Sequence, residues 1–497
     1  MADDRLESFS LIVSDLNGNV QQINTVPYTP GSRELHIGEL PVGDIGRLTL
    51  VGYSDTNQVL AYSESGGFAV EAYDDILVSL PLRKPYTYLA GGPAISVFDN
   101  TLAHSGDVVS PIELNSPGQT STAVATTPDG RYVLTAVADP VTPTASNLLV
   151  FNTGQHTEAY RVPLNYSPDY LSVSHDGHWA ILSATDASRI TVVDMEQVFA
   201  GVPPASTTQD IVFVAPRRAA FVKGPDGRDL AVILRDPLPI EARCTPTSTR
   251  SSLSVIELPD GNLLNTTYFD TALADIASRP GDSRVFLADP CTAQISYFET
   301  TNYQLGTLVS VQVPRSLIAT SDTLWIGSLD ESPDGGRTAA RIAISKVDLS
   351  SQSPILEAVL ATPFVEEGNE LFVDDVGSSS VVLRANPRTV TAYHLSIPPG
   401  ASRVSALVYA TYKGDYTSAP LPSNIGDIST VNYESHSYVR LDTSTGEIRR
   451  RFRGYCTTYY NGDKSVLYCC EPKESFLAPL CADVFKPASV TSLFGVP

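Results

Sequence analysis

The chain has 497 residues, too many for one ordinary hydrophobic core, so several domains or an array of repeats are expected. Its 42% hydrophobic and 18% charged residues are typical of a folded globular protein and argue against a disordered one. The net charge of −22 disfavours binding to nucleic acids and to anionic lipid. No apolar run reaches about 18 residues, so no transmembrane segment is expected.

Residues 1–88 are predicted to form a small antiparallel β-sandwich, an accessory domain of immunoglobulin-like or similar type. The prediction rests on short runs with period-two alternation, which are Ser8–Val13, Glu34–Ile37, Arg47–Val51, Val59–Ser63 and Ile76–Leu82. A linker is expected over Arg83–Pro93, and a second domain over residues 89–497.

The repeat of the second domain is clearest in SVSHDGHWAILSATDASRITVVDM, residues 172–195. A turn at Asp176-Gly177 precedes a predicted strand at Trp179–Ala184 and another at Ile190–Asp194, and a short helix follows at Asp194–Ala200. Asp-Gly between apolar runs predicts a hairpin with a type I′ turn, since both residues tolerate positive φ.

Eight candidate second strands, called B strands, are identified, and the first four and the eighth follow a turn. They are Arg131–Val137, Trp179–Ala184, Leu230–Arg235, Arg284–Ala288, Thr323–Ser328, Glu370–Asp374, Leu407–Tyr412 and Lys464–Cys469. The first four turns lie 47, 50 and 56 residues apart. A four-strand repeat near this period predicts an all-β propeller. Eight blades are favoured; seven is the alternative, because the segment 364–454 is irregular and holds an apparent insertion at Gly414–Ser435.

The two ends of this domain are expected to complete one blade together. Ala94–Asn100 and Val108–Leu114 resemble third and fourth strands, whereas Tyr455–Tyr460 and Lys464–Cys469 resemble first and second strands. A shared blade would close the ring and remove both sheet edges.

The segments SHDGHWAILSATDASRITVVDM and TPDGRYVLTAVADP…NLLVFNT resemble the lactonase-like (YVTN-type) repeat of bacterial secreted and surface β-propellers. The resemblance covers residues 88–481 and is best in the first two repeats. It implies a fold and a bacterial exported protein, and it implies no activity, because the repeat is architectural.

Acidic residues recur just after the B strands: Asp139, Asp186, Asp236, Asp289, Asp330, Asp375, Asp415 and Glu471. Loops after B strands open on one face of a propeller, so these carboxylates are expected around the mouth of the channel. There they would attract a basic protein partner or hold Ca²⁺. The favoured interpretation is turn chemistry, in which aspartate accepts hydrogen bonds from the backbone two residues on, with no cofactor.

Six cysteines are disulfide candidates: Cys244, Cys291, Cys456, Cys469, Cys470 and Cys481. Their spacing fits no zinc or haem motif. The preferred pairing joins Cys244 to Cys291 and the last four among themselves, and an adjacent Cys469–Cys470 disulfide is the minor alternative. Disulfides favour a periplasmic, cell-surface or secreted location. A cytosolic protein with free thiols is the alternative, since the first residues have no signal-peptide pattern.

Two other motifs are interpreted as structural. His175 and His178 flank a turn and lack a third metal ligand, so a solvated turn is favoured over a metal site. The arginines at 449, 450, 451 and 453 are expected on a charged outer strand that resists edge-to-edge pairing, with an acidic-ligand site as the alternative.

No nucleophile elbow, phosphate-binding loop, dinucleotide motif or HExxH is present, which lowers the expectation of an enzyme. The favoured function is a non-catalytic, extracytoplasmic protein-binding or scaffold module of the cell envelope. The alternatives are a lactonase-like or other metal-assisted hydrolase acting at the channel mouth, and a structural subunit of a surface fibre or layer. An oligomer or larger assembly is compatible with each.

Overall fold

The structure is a computed structural model of the chain. It describes residues 6–15, 20–30, 35–36, 40–54, 59–64, 68–71, 77–78, 80, 82, 86–90, 94–99, 108–114, 119–128, 130–139, 141–235, 251–319, 323–330, 341–350, 354–363, 372–376, 379–383, 386–396, 405–415, 428–442, 448–461, 466–468 and 489–492. From residue 358 onward the description concerns the backbone.

The N-terminal region contains six strands: β1 (Leu6–Ser14), β2 (Val20–Pro27), β3 (Gly43–Ile45), β4 (Arg47–Ser54), β5 (Val59–Glu64) and β6 (Phe68–Val70). Four of them form an antiparallel sheet in the order β2-β1-β4-β5, and β3 pairs with β6. Phe9, Leu11 and Leu50 lie in their common core. The expected strands at 34–37 and 76–82 are wrong for the residues described there, and the sandwich stays a prediction.

A series of antiparallel sheets, called blades, makes up the rest of the chain. Three early strands are β7 (Tyr86–Ala90), β8 (Ala94–Asp99) and β9 (Val108–Glu113). Blade 1 consists of β10 (Thr120–Thr126), β11 (Tyr132–Ala138), β12 (Asn147–Asn152) and β13 (Glu158–Pro163). Blade 2 consists of β14 (Tyr170–Val173), β15 (Trp179–Ala184), β16 (Arg189–Asp194) and β17 (Thr208–Val212), with helices α1 (Met195–Phe199) and α2 (Pro204–Thr207) before β17.

Blade 3 consists of β18 (Pro216–Lys223), β19 (Asp229–Arg235), β20 (Ser252–Glu257) and β21 (Asn262–Tyr268). Blade 4 consists of β22 (Asp275–Ser278), β23 (Arg284–Asp289), β24 (Gln294–Glu299) and β25 (Gln304–Ser310). Blade 5 consists of β26 (Pro314–Ala319), β27 (Thr323–Asp330), β28 (Arg341–Asp348) and β29 (Leu356–Pro363). After a hairpin of β30 (Phe372–Val376) and β31 (Ser379–Leu383), blade 6 consists of β32 (Asn386–Ser396), β33 (Ser405–Asp415), β34 (Ile428–Asp442), β35 (Ile448–Asn461) and β36 (Val466–Tyr468).

The last described strand, β37 (Ser489–Ser492), pairs with β7, and the closing blade has the order β37-β7-β8-β9. The innermost strands contact one another in the circle β10, β14, β18, β22, β26, β32, β37 and back to β10. The chain is therefore a β-propeller. Seven sheets of the described strands take part in this circle, and the blade count of the whole chain, with eight favoured and seven the alternative, stays a prediction.

The prediction that both ends share one blade is confirmed, and β8 and β9 are its third and fourth strands as predicted, but the predicted C-terminal strands are wrong. The C-terminal contribution is β37, whereas Tyr455–Tyr460 and Val466–Tyr468 belong to blade 6. The expected linker at 83–93 contains β7, which supplies the second strand of the closing blade. Strand pairing across hundreds of residues leaves no local pattern in the sequence, and for this reason the C-terminal partner strand was predicted wrongly.

Two of the eight predicted B strands, Glu370–Asp374 and Lys464–Cys469, are not the second strand of a blade in the structure. Glu370–Asp374 falls partly in the two-stranded β30–β31 hairpin, and Lys464–Cys469 overlaps β36, the fifth strand of blade 6. Leu407–Tyr412 is confirmed, because it lies in β33, the second strand of blade 6. The predicted insertion at Gly414–Ser435 is partly strand, because β34 begins at Ile428 and pairs with β33 and β35.

The hairpins between first and second strands are confirmed, but their predicted turn type is wrong. In blade 2, five residues connect β14 to β15, and Gly177 has φ +75° whereas Asp176 has no positive φ. A type I′ turn requires positive φ at both central residues. Here the Asp176 carboxylate instead accepts hydrogen bonds from the Ser174 hydroxyl (2.6 Å) and the His178 amide (3.1 Å).

The hydrophobic core is divided into layers between neighbouring blades. Between blades 1 and 2, Leu148 and Val150 pack in one cluster with Ala180 and Leu182. Every residue of β15 is buried, because its two faces contact different blades. Strands buried on both faces appear as continuous apolar runs, and this explains why the second strands were the easiest to find.

Candidate functional site

In an antiparallel meander, loops between second and third strands lie on the same side as connections between blades. We call this side the loop face and the opposite side the turn face. Of the eight predicted mouth acids, Asp139, Asp186 and Asp289 have described side chains. Asp330, Asp375 and Asp415 have a described backbone, and Asp236 and Glu471 lie outside the described residues.

Two of these acids organise turns. Asp139 Oδ1 accepts hydrogen bonds from the backbone amides of Val141 (3.0 Å) and Thr142 (2.7 Å). Asp289 Oδ1 accepts from the amides of Cys291 (2.9 Å) and Thr292 (3.1 Å). This is the turn chemistry that the sequence favoured.

The acids do not occupy one equivalent position. Asp289 pairs with Gln294 at the end of its strand, and Ala184 makes the equivalent pair with Arg189 in blade 2. Asp186 lies two residues beyond Ala184 and is exposed. The pairing of second and third strands thus shows that Asp186 and Asp289, which have similar spacing in the sequence, occupy different positions in their blades.

Asp169 and Asp186 form a carboxyl pair that was not predicted from the sequence. Asp169, in the connection from blade 1 to blade 2, accepts a hydrogen bond from the Thr185 amide (2.8 Å). Burial and, to a smaller extent, the charge of Asp186 raise the pKa of Asp169, although the Thr185 amide acts in the opposite direction. Asp169 and Asp186 therefore lie close enough on the loop face for their charges to repel each other.

Hydrogen bonds join the loops of this region into one surface. The Ser167 hydroxyl donates to the Asp139 carbonyl (3.1 Å) and the Thr185 hydroxyl donates to the Pro216 carbonyl (3.0 Å). Arg235 Nε donates to the Val214 carbonyl (3.0 Å). The surface runs from blade 1 to blade 3 on the loop face.

Large apolar side chains are exposed on the same surface. Val141 is 87% exposed, Val212 79% and Val214 59%. Val141 lies in the same loop as Asp139, Val212 ends β17, and Val214 lies in the connection from blade 2 to blade 3. Apolar groups that remain in water beside charged groups are typical of protein interaction surfaces.

The innermost strands below this surface are tied together by polar contacts. Arg218 of blade 3 forms an ion pair with Asp275 of blade 4 (2.8 Å), and Asp275 also accepts a hydrogen bond from the Leu317 amide of blade 5 (2.9 Å). Arg217 Nε donates to the Tyr170 hydroxyl of blade 2 (3.2 Å). Such bonds fix the blades relative to one another, and the surface above them is preorganised.

The two histidines of the HDGH turn lie on the turn face. His175 Nε2 lies 3.1 Å from the Ser278 hydroxyl of blade 4, so it joins blades that are not adjacent. His178 stacks on Trp179 with 4.5 Å between ring centroids. The turn is partly exposed, as expected, and nothing in the sequence indicated the His175 contact, which spans 103 residues. Among the described residues, no group of three or more His, Cys, Asp or Glu could hold a metal ion.

Cys291 is disulfide-bonded, directly after the Asp289 turn. The pairing with Cys244 stays a prediction, because the structure does not describe the side chains of the other five cysteines. The arginine segment 449–453 lies in β35 and pairs with β34, whereas β36 pairs with β35 at Tyr459 and Tyr460. In the described strands, this segment is thus paired on one side, as expected for an outer position.

No helix among the described residues has the length and hydropathy that crossing a membrane would require. No family model matches the chain, and no curated protein does. One similar solved structure is a nidogen–laminin complex, with 10% identity, 55% of this chain and 92% of that chain covered, and a TM-score of 0.35. A second similar structure is that of the RRP9 WD40 repeats, with 9% identity, 76% of this chain and 85% of that chain covered, and a TM-score of 0.38. A third is the propeller domain of Cps50 (Swd1) from Myceliophteria thermophila, with 10% identity, 66% of this chain and 95% of that chain covered, and a TM-score of 0.37. At these identities the likeness is one of fold alone.

Proposed function

We propose that this propeller is a non-catalytic protein-binding module, and that its partner docks on the loop face of blades 1 to 3. The observation that carries the proposal is the exposure of Val141, Val212 and Val214 beside Asp139 and Asp186. Burying these apolar side chains against a partner would be favourable, at roughly 25 cal/mol per Å² of apolar surface.

The charge of the chain selects the chemistry of the partner. A net charge of −22, together with the Asp169–Asp186 pair, favours a partner whose docking surface is basic with an apolar centre. Electrostatic attraction of this kind raises the association rate, and added salt should lower it.

We further propose that the protein works outside the cytoplasm as a scaffold in a bacterial cell envelope. The bonded Cys291 supports an oxidising compartment. The resemblance of the blade 1 and blade 2 sequences to bacterial surface propellers supports the same location. Mass spectrometry of alkylated protein from its native host, with and without reduction, tests it: free thiols at all six cysteines would contradict an oxidising compartment.

Site-specific photo-crosslinking in the native host tests the docking face. A photoreactive residue at Val141 or Val214 should capture one protein with a basic surface, and 0.5 M salt should weaken the capture. Leu263 is the matched control, because it is 59% exposed on the outer strand β21, away from the loop face. Equal capture from all three positions, or capture from Leu263 alone, would contradict the proposal.

Metal analysis distinguishes the hydrolase alternative. Purified protein is expected to contain no stoichiometric metal ion. Bound Ca²⁺ or another divalent ion that leaves when the mouth acids are substituted would favour hydrolysis at the channel mouth. Electron microscopy of the native surface distinguishes the fibre or layer alternative, which requires repeated lateral contacts.

A further inference from the structure

A cavity of about 150 Å³ lies between the chain entering blade 4 and one face of that blade. Phe269, Leu273 and Leu287 supply much of its apolar wall. Its polar lining comes from Ser296 and Thr307 on β24 and β25, and from Asp289. The cavity thus combines apolar walls with a few polar groups, as small-ligand sites do.

Blade 2 shows which residue corresponds to this space. Leu182 pairs with Thr191 in blade 2 as Leu287 pairs with Ser296 in blade 4. The connections that enter the two blades also correspond. The Leu164 amide donates to the Ser146 carbonyl (2.9 Å) before blade 2, and the Phe269 amide donates to the Ser251 carbonyl (2.8 Å) before blade 4.

Two residues beyond these anchors, the chains differ. Tyr166 lies two residues after Leu164, and Thr271 lies two residues after Phe269. Tyr166 is 4% exposed, and its hydroxyl lies 2.9 Å from Thr191 Oγ1 and 3.1 Å from the Leu182 carbonyl oxygen. In blade 2 a phenol ring therefore fills the space between the incoming chain and the blade.

Thr271 is too short to fill the corresponding space in blade 4. Its hydroxyl instead donates to Asp289 Oδ2 (2.6 Å) at the rim. Within the described part of the chain, the hydroxyls of Ser296 and Thr307 make no side-chain hydrogen bond to protein, whereas Thr191 in blade 2 bonds both Tyr166 and Asp210. The cavity is thus the unfilled form of a site that holds a phenol elsewhere in the same ring.

We propose that the blade 4 cavity binds a phenol ring supplied from outside the chain, either a free phenol or the tyrosine side chain of a partner. A void near 150 Å³ accommodates a single benzene-sized ring. By analogy with Tyr166, the phenol hydroxyl would bond the Ser296 hydroxyl and the Leu287 carbonyl. The inference does not depend on the docking face proposed above.

Titration of the full chain with p-cresol, toluene and N-acetyltyrosinamide, followed by calorimetry or NMR, tests the ligand chemistry. We expect p-cresol to bind at one site at least tenfold more tightly than toluene, which has the same ring but no hydroxyl. Binding of N-acetyltyrosinamide as well would identify a chain-borne tyrosine as an accepted source; binding of p-cresol alone would identify a free phenol. No p-cresol binding, or equal binding of toluene, would overturn the proposal.

Two variants locate the site. Thr271→Tyr should place a ring in the cavity, as Tyr166 does in blade 2, and should abolish p-cresol binding. Tyr166→Thr should open the equivalent space in blade 2 and raise the stoichiometry from one to two. Ser296→Ala, a small change that preserves packing, should remove most of the preference for p-cresol over toluene. Undiminished p-cresol binding by folded Thr271→Tyr, or an unchanged preference in Ser296→Ala, would refute the assignment.

Discussion

Arg218 and Asp275 form an ion pair between neighbouring blades, in which Arg218 Nη1 lies 2.8 Å and 2.9 Å from the two carboxylate oxygens. Asp275 is 2% exposed and also accepts the Leu317 amide. One carboxylate therefore joins blades 3, 4 and 5 at the innermost strands. Breaking a buried pair is costly, since the remaining charge loses its partner in a poorly solvated place.

Asp275→Ala is expected to lower the free energy of unfolding by about 3 kcal/mol, because it removes both the ion pair and the acceptor of the Leu317 amide. Urea denaturation measures the change. Glu158→Ala is the control: the Glu158–Arg161 pair on blade 1 is more exposed, and its loss should cost less than about 1 kcal/mol. Equal effects would contradict a special role for Asp275.

Gly261→Ala is expected to lower the free energy of unfolding more than Gly227→Ala does. Both glycines have positive φ, +71° and +83°, so alanine strains the backbone at each. At Gly261 the new Cβ would also clash with the Ile211 side chain of blade 2, whereas nothing lies within 4 Å at Gly227. We expect about 1 kcal/mol at Gly227 and about 2–3 kcal/mol at Gly261, measured by thermal unfolding. Similar values would indicate that Ile211 moves aside without cost.

Asp282→Asn tests the turn carboxylates through pH. Burial alone would raise the pKa of Asp282, but the Arg284 hydrogen bond and the charges of Arg279 and Arg284 outweigh it and hold the pKa below its ordinary value. The ionised form therefore adds stability above about pH 4, and this is lost as the pH falls through the lower folded pKa. The variant should be about 1 kcal/mol less stable at pH 7, with a smaller gap below pH 4. A gap independent of pH would contradict this account.

His156→Asn tests the joint between the closing blade and blade 1. His156 Nε2 lies 3.2 Å from the Tyr88 hydroxyl, and burial lowers the pKa of His156. Because the pKa of His156 is lower in the folded chain than its value near 6.5 in the unfolded chain, the unfolded chain takes up the proton more readily. The free energy of unfolding is therefore highest above about pH 6.5 and falls as the pH drops below it. The melting temperature of the natural chain should therefore fall more between pH 7 and pH 5 than that of the variant. Asparagine suits the φ of +54° at this position, so the backbone is preserved.

A chain that ends at residue 488 is expected to lose ring closure, because it lacks β37. The loss leaves an edge of β7 unpaired and removes the contacts of β37 with β10 and β32. We expect a loss of more than about 3 kcal/mol and concentration-dependent association through the free edge, detected by light scattering. A chain that ends at residue 492 is the control, and equal stability of the two would disprove the closure.

For much of the candidate site, the sequence predicted the types of residue present and did not predict which of them lie together. The Asp139 and Asp289 turns agree with aspartate chemistry within three residues, which spacing can reveal. Asp169, Asp275 and Thr271 carried no signal, because each acts through a residue of another strand or blade. Once blade register is known, the Tyr166–Thr271 difference is plain in the sequence itself.

The sequence by itself determined the repeated hairpins and the buried second strands, because turn chemistry and apolar runs act over a few residues; β15 begins and ends at the predicted Trp179 and Ala184. Only the tertiary structure decided that Ser489–Ser492 closes the ring. That strand is short and polar, and its pairing with Tyr86–Ala90 depends on backbone hydrogen bonds that any sequence can make. Its selection therefore rests on where the preceding blades bring the chain.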